Sequence, residues 1–183
     1  KFLNAGGSGA TSDAAEAVAY ATTLGVDLTS NSWGGGGYMQ AMRDVIVEAE
    51  QHGILFVAAA GNSNSDNDVT PHYPSNYDVP NVIAVAATDH NDHLADFSCF
   101  GENTVHIGAP GVYVASCCPV AFAEANAYEH PYISISGTSM AAPHVSGAAA
   151  LLISRVRGIP YHDVRQRLLE RGDAIPALDG ITT

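Results

Sequence analysis

The chain has 183 residues, of which 46% are hydrophobic, and its 19 acidic and 7 basic residues give a formal net charge of −12. This length suits one domain with a sizeable core, and the acidic balance excludes nucleic acids and anionic membranes as expected partners because both would be repelled. No apolar run approaches the roughly 18 residues that a membrane span requires, so no membrane contact is predicted.

Helical and strand patterns alternate in the first third of the chain. Apolar residues at helical spacing predict a first helix that Thr11 or Ser12 caps and Gly25 ends. Residues 26–33 are predicted as a strand, and a second helix follows and stops at Gly53. The continuous apolar run over residues 54–60 is typical of a parallel strand that is buried on both faces.

The same alternation continues to the end of the chain. A polar loop over residues 61–78 precedes a second buried strand at 82–87, and further strands are predicted at 105–107, 112–115 and 132–135. A long helix is predicted at 138–157, and Pro160 opens a final helix. Together these patterns predict an α/β fold, a three-layer sandwich with a mainly parallel sheet flanked by helices. Ligands of such folds bind at the carboxyl ends of the strands, where the glycines 34–37 and the Gly61-Asn62 turn fall.

Residues 136–148, SGTSMAAPHVSGA, carry the densest chemical signal. A turn of small residues places Ser139 at the start of an apolar helix, where the first backbone N–H groups have no partner within the helix. A serine in that position can attack a carbonyl while nearby N–H groups stabilise the oxyanion. On its own, Ser139 would be interpreted as a helix cap.

This segment resembles the active-site serine block of the subtilisin-like serine proteases, the subtilases, almost letter for letter. The resemblance implies a subtilisin-like fold and makes Ser139 the expected nucleophile of a serine endopeptidase. Asn62, within the Ala-Ala-Gly-Asn of residues 59–62, resembles the oxyanion-hole block of the family. We therefore expect its side-chain N–H and the Ser139 backbone N–H to bind the oxyanion. A turn-forming role is the alternative for Asn62.

A second resemblance concerns the substrate-binding edge of the family, along which an extended peptide adds as a strand. The predicted edge consists of Ser32, Trp33, Gly34 and Gly35. The alternative is a plain glycine-rich turn beside a core tryptophan.

The resemblance also implies a pocket for the residue that precedes the scissile bond. Its predicted walls are Ala59, Ala60 and Gly61, whose small size leaves room for a large apolar or aromatic side chain. His72 falls near the floor of that pocket in the family pattern. There it would favour an acidic or polar side chain at low pH, unless it is an ordinary surface histidine.

Two expected catalytic residues are missing from the sequence. The family carries an Asp block and a His-Gly-Thr-His block upstream of the serine, and neither occurs here. Lys1-Phe2-Leu3 resembles the strand that follows the histidine helix, and residues 179–183 stop where relatives continue. We therefore interpret residues 1–183 as a partial subtilase peptidase domain that lacks the N-terminal Asp and His segments, giving an incomplete subtilisin-like fold. None of the eight histidines has the sequence context of the base, so the chain alone is predicted to be inactive.

The resemblance further implies partners and a location. Polypeptide substrates are the expected partners, together with a propeptide or the missing N-terminal segment, and the expected location is secreted or periplasmic. The chemistry requires no cofactor.

A structural calcium ion is a further expectation, because relatives often bind calcium through loop carbonyls and a carboxylate. Carbonyls of residues 75–82 match such a site, but His106 stands where relatives place the Asp ligand. Asp66 and Asp68 are an alternative site, or part of a solvated loop. The thiols of Cys99, Cys117 and Cys118 are predicted to be buried or idle.

Two rival functions remain at the level of the sequence. One is a non-catalytic subtilase relative that binds peptides along residues 32–35, although binding alone requires neither Ser139 nor Asn62. The other is an unrelated α/β hydrolase, which the sequence does not support because it contains no Gly-x-Ser-x-Gly elbow.

Overall fold

Four parallel strands form the middle of three layers in the computed structural model, which describes residues 2–182. In chain order the elements are α1 (Thr11–Leu24), β1 (Leu28–Asn31), α2 (Gln40–Gln51), β2 (Leu55–Ala59), β3 (Val82–Thr88), β4 (Ile107–Pro110), β5 (Val114–Cys117), α3 (Val120–Ala125), β6 (Tyr132–Ile135), α4 (Thr138–Arg155), α5 (Tyr161–Glu170) and a 3₁₀ turn (Pro176–Leu178). The main sheet has the order β1-β2-β3-β4, and β5 and β6 form a separate antiparallel pair. The predicted α/β sandwich is thereby confirmed.

The sheet lies in the middle because its two central strands are apolar on both faces. In β2, Leu55 and Val57 pack in the core beneath α4 and α5, whereas Phe56 and Ala58 pack in the core beneath α1 and α2. Alternate residues of a strand point to opposite faces, and every residue of β2 and β3 is buried. A strand that is covered on both faces needs apolar residues at every position, which explains the unbroken apolar run in the sequence.

The ends of the first helix match the prediction in part. Gly25 ends α1 in the left-handed conformation, with φ of 65°. The predicted cap is wrong, because Thr11 and Ser12 lie inside the first turn and Ala10 occupies the capping position without a side-chain hydrogen bond. Phe2 lies in no strand, and its ring packs edge-on against Trp33 at 5.2 Å. Lys1 and Thr183 lie outside the described residues.

Two later strands begin two residues beyond their predicted starts, each for a local reason. β4 begins at Ile107 because the preceding His106 pairs with β3 partly through its side chain, whose Nδ1 accepts the Ala84 N–H at 2.9 Å. β5 begins at Val114 because Tyr113 has φ of 53°, which is incompatible with an extended strand. The short helix α3 was not predicted.

His106 is largely buried at this junction and must be neutral to accept the hydrogen bond. Burial is the main cause that lowers its pKa to about 4, and the positive charge of Arg165 adds to the effect. The unfolded chain therefore takes up this proton first as the pH falls. Stability from neutral His106 is fully present above its unfolded pKa near 6.5 and is lost as the pH falls towards about 4.

We predict that His106→Asn removes part of the acid sensitivity of the fold. Asn offers an oxygen acceptor to the Ala84 N–H but does not titrate. Between about pH 7 and about pH 4, the unmodified protein should lose about 3 kcal/mol more unfolding free energy than the variant, since one pKa unit corresponds to about 1.4 kcal/mol. Urea unfolding at both pH values measures this difference. Parallel pH profiles of the two proteins would contradict the assignment.

Candidate active site

Ser139 lies in the first turn of α4, beside the residue that follows β1. Its Oγ donates a hydrogen bond to the Ser32 carbonyl oxygen at 3.3 Å, and the Ser32 Oγ donates to the Ser139 carbonyl oxygen at 2.8 Å. The Ser139 backbone N–H has no hydrogen-bond acceptor within residues 2–182. The serine is thus fixed at the carboxyl end of the sheet with its N–H available to a ligand.

Thr138 holds Asn62 in one orientation. The Thr138 N–H and hydroxyl both donate to the Asn62 Oδ1, at 2.8 and 2.9 Å, and the same hydroxyl accepts the Gly61 N–H at 3.2 Å. A backbone N–H can only donate, so the atom facing it must be the amide oxygen. The Asn62 Nδ2 therefore points away from Thr138, and it has no acceptor in the described part of the chain.

The two free donors flank one position. A methyl carbon built on Gly137 would lie 3.6 Å from the Asn62 Nδ2 and 3.7 Å from the Ser139 nitrogen. The absence of a side chain at Gly137 leaves that position open. The sequence predicted Asn62 and Ser139 as the two donors, but it carries no separate signal for Thr138, which holds the Asn62 amide.

A cleft of about 390 Å³ lies next to Ser139, between residues 7–11 and residues 32–36. Each wall presents unpaired backbone groups, because neither Gly9 nor Gly34 makes a backbone hydrogen bond to any described residue. Such groups can pair with an extended peptide placed between them. The wall at residues 7–11 was not predicted, although the run of small residues GGSGA at 6–10 marks a segment that a backbone can approach closely.

The structure separates the predicted pocket residues into two groups. Ala59 and Ala60 are buried, with Ala59 in the core beneath α4 and Ala60 packed among Ala86, Cys99 and Val105. Trp33 is half-buried and donates its indole N–H to the Asn31 side chain at 3.2 Å. Gly34, Gly61 and His72, in contrast, are brought together.

The His72 imidazole lies between the two glycines. A side-chain carbon on Gly34 would lie 2.6 Å from the His72 Nε2, and one on Gly61 would lie 2.9 Å from the His72 Cδ2. Only glycine permits this approach at both positions. The imidazole therefore packs directly against the backbone of both glycines.

The charge state of His72 follows from its hydrogen bonds. The Ser75 hydroxyl donates to the His72 carbonyl oxygen at 2.8 Å, so the contact of 3.0 Å between the Ser75 Oγ and His72 Nδ1 is donated by the ring. Burial lowers the pKa of His72. The ring is neutral at pH 7, with its proton on Nδ1.

No histidine within residues 2–182 is bonded to the Ser139 Oγ. His144 lies on the same helix, but its Nδ1 contacts the Met140 carbonyl oxygen at 2.8 Å. The described residues therefore bring a serine and two unpaired N–H donors together, with no histidine hydrogen-bonded to the serine hydroxyl.

Residues of both predicted calcium positions make hydrogen bonds within the chain. At the first, the Arg165 Nε donates to the Val82 carbonyl oxygen at 3.3 Å, so one carbonyl of the predicted range already has a partner. At the second, Asp68 accepts hydrogen bonds from the backbone and side chain of Asn103 and from Thr104, and so ties two loops together. Within residues 2–182 no cluster of three or more His, Cys, Asp or Glu could hold a metal ion.

Two further sequence predictions concern the thiols and membranes. Cys99 is buried, Cys117 is exposed and Cys118 is intermediate, and all three are free. In the part of the chain that the structure describes, no helix has both the length and the apolar character needed to cross a membrane.

Comparison with known sequences gives a match over nearly the whole chain. The family model described as Subtilase family matches residues 1–176. Subtilisin DY from Bacillus licheniformis is 41% identical over 169 residues, which cover 92% of this chain and 57% of that protein. Thermitase from Thermoactinomyces vulgaris is 38% identical over 157 residues, covering 86% of this chain and 51% of that protein. The chain thus spans about half the length of these curated relatives.

Solved structures give a matching result. A cold-adapted subtilisin-like serine proteinase superposes with a TM-score of 0.84 at 30% sequence identity, over 100% of this chain and 63% of that one. Sphericase superposes with a TM-score of 0.77 at 33% identity, over 94% of this chain and 58% of that one.

We predict that Thr138→Val destabilises the fold while Thr138→Ser does so much less. Valine has the same shape but leaves the buried Gly61 N–H without its partner, which costs about 1–3 kcal/mol. Serine keeps the hydroxyl and loses only a methyl group. Urea unfolding of both variants measures the two losses. Equal losses would show that the methyl group matters, and the hydroxyl network does not.

Proposed function

The chain belongs to the subtilase family, and we propose from that membership that the protein carrying it is a serine endopeptidase with Ser139 as its nucleophile. One observation carries the proposal: two unpaired donors, the Asn62 Nδ2 and the Ser139 N–H, both lie within 3.7 Å of one open position at Gly137, two residues before Ser139. Peptide binding alone would need neither the hydroxyl nor the convergent donors.

In the proposed reaction the Ser139 Oγ attacks the carbonyl carbon of the scissile bond. The carbonyl oxygen gains negative charge and is bound by the Asn62 Nδ2 and the Ser139 N–H. These donors need no rearrangement, because Thr138 already holds the Asn62 amide. Collapse of the tetrahedral intermediate releases the amine, and water then hydrolyses the acyl-enzyme.

The general base is proposed to come from outside these 183 residues. Without a base the Ser139 hydroxyl keeps its proton and is a poor nucleophile, so we expect no hydrolysis by the chain alone. We interpret residues 1–183 as the part of a peptidase domain that follows the Asp and His segments, which fits the half-length coverage of the relatives. A propeptide and a secreted or periplasmic location are proposed by the same likeness.

Substrate binding is proposed to use strand addition. An extended polypeptide placed in the cleft would pair with the free backbone groups of Gly9 on one side and Gly34 on the other. Because backbone groups make these contacts, the cleft would accept varied side chains.

The selectivity of the enzyme is proposed to depend on which substrate residue precedes the scissile bond. The family likeness places its side chain near Gly34 and Gly61, and the His72 imidazole already fills the space between these glycines. We therefore propose a preference for small side chains in place of the large apolar ones that the sequence indicated. Neutral His72 also gives no attraction for an acidic side chain at pH 7.

A structural calcium ion stays a prediction. The Val82 carbonyl oxygen, within the first predicted position, already accepts a hydrogen bond from Arg165, which argues against calcium there. The proposed chemistry requires no metal.

We predict that Ser139→Ala abolishes hydrolysis of an unstructured protein by the full-length natural protein.

A separate variant, Asn62→Leu, keeps the side-chain volume but removes the proposed oxyanion donor. In subtilisin, a member of this family, loss of the corresponding donor lowers kcat by about 10²–10³, and we expect Asn62→Leu to lower kcat by the same order. KM should change little. Near-normal activity of Ser139→Ala would refute the nucleophile and favour a peptide-binding role.

We predict that His72→Ala widens selectivity. Room for one more methylene group in an apolar pocket changes the ratio of kcat/KM between two substrates about 10- to 200-fold. The ratio of kcat/KM for Phe over Ala before the scissile bond should therefore rise at least about tenfold. His52→Ala on the exposed end of α2 is the matched control. An unchanged ratio would show that His72 does not limit the pocket.

A further inference from the structure

The segment that contains β5, α3 and β6 concentrates exposed apolar side chains. Of the 12 large hydrophobic side chains that are exposed among the described residues, six lie between positions 113 and 135. They are Tyr113, Val120, Phe122, Tyr128, Tyr132 and Ile135. We call residues 113–135 the arm. Its two strands pair only with each other, so the main sheet does not cover them.

The arm joins the site at the opposite side from the cleft. Ser32 and the cleft follow β1, at one edge of the sheet, whereas Gly111 and the arm follow β4, at the other edge. The turn that carries the nucleophile contacts both sides: the Ser139 Oγ bonds to the Ser32 carbonyl oxygen and the Gly137 N–H donates to the Gly111 carbonyl oxygen at 2.8 Å. A polypeptide that leaves the cleft past Ser139 therefore meets the arm next.

A direct contact links the arm to the nucleophile turn. The Ser136 Oγ, three residues before Ser139, accepts the Tyr113 N–H at 2.9 Å. Tyr113 has φ of 53°, a conformation that bulky residues rarely adopt, and its side chain is 79% exposed. Strain of this kind persists where the surroundings enforce it and is concentrated at functional positions. Here it displays an aromatic ring beside the site.

We propose that the arm binds the segment of a polypeptide substrate that follows the scissile bond, and that it favours apolar residues there. This inference rests on the proposed peptidase function. Its basis is the continuity of the arm with the cleft and the nucleophile turn. Aromatic rings such as Phe122 and Tyr128, whose centroids lie 6.3 Å apart, give large apolar contact area at a small entropic cost.

The negative charge near the arm favours a polypeptide, and not an anionic membrane, as the binding partner of the arm. Glu124 and Glu129 are exposed within the arm, and the whole chain has a formal net charge of −12. Both would repel an anionic membrane surface. An apolar segment that carries lysine or arginine would be attracted.

The test compares substrates that differ only after the cut, with the full-length natural protein. One peptide continues for four apolar residues beyond the scissile bond and the other for four serines, a length that spans about 13 Å when extended. The double variant Phe122→Ser/Tyr132→Ser should lower the ratio of kcat/KM between the apolar and serine peptides about tenfold, mainly through KM. The single variant Tyr128→Ser should lower it severalfold.

The control is Tyr20→Ser/Leu24→Ser, which removes two exposed apolar side chains from α1. It should leave the ratio unchanged. An unchanged ratio in the arm variants, with cleavage intact, would overturn the inference alone. Failure of the unmodified protein to cleave either peptide would overturn the proposed function as well. Concentration-dependent dimerisation that the arm variants abolish would assign the arm to a second copy of the chain and also overturn the inference.

Discussion

The hydroxyl of Thr138 is the connection on which the site depends. It joins the end of β2 to the start of α4 by accepting the Gly61 N–H and donating to Asn62, so two elements that are distant in the chain are held in one geometry. With the amide oxygen engaged, the amide nitrogen is left free and directed. The hydrogen bonds of Thr138 thus determine that the Asn62 nitrogen, and not its oxygen, is available to a ligand.

Close approach of backbones is the second requirement. Gly34 and Gly61 admit the His72 ring, and the fully buried Ala141 and Ala142 bring α4 against the sheet. His72 and His106 are partly buried, and burial lowers the pKa of both side chains. The neutral His72 ring against Gly34 and Gly61 adds no charge next to the site at pH 7, although the chain as a whole is strongly acidic.

The sequence was sufficient for the layers, for the central strands and for the family, because each depends on patterns that repeat or on a long motif. The apolar run of β2 and the segment around Ser139 are such patterns. Features decided by single side chains were not predictable. His106 moves the start of β4 by replacing a backbone acceptor, and Tyr113 shortens β5 through its φ angle. Thr138 and the wall at Gly9 acquire their importance only from neighbours that are remote in sequence.

The contacts of the nucleophile turn also differ from those of the sheet in their separation along the chain. The strands β1 to β4 neighbour each other in chain order, whereas Ser139 contacts a residue 107 positions earlier and Thr138 one 76 positions earlier. Contacts of long separation lose more chain entropy before they form, and they form late. The contacts of Ser139 and Thr138 are therefore expected to form after the pairing of neighbouring strands has begun. The nucleophile thus reaches its final position only when α4 packs against the sheet and closes the core on that face.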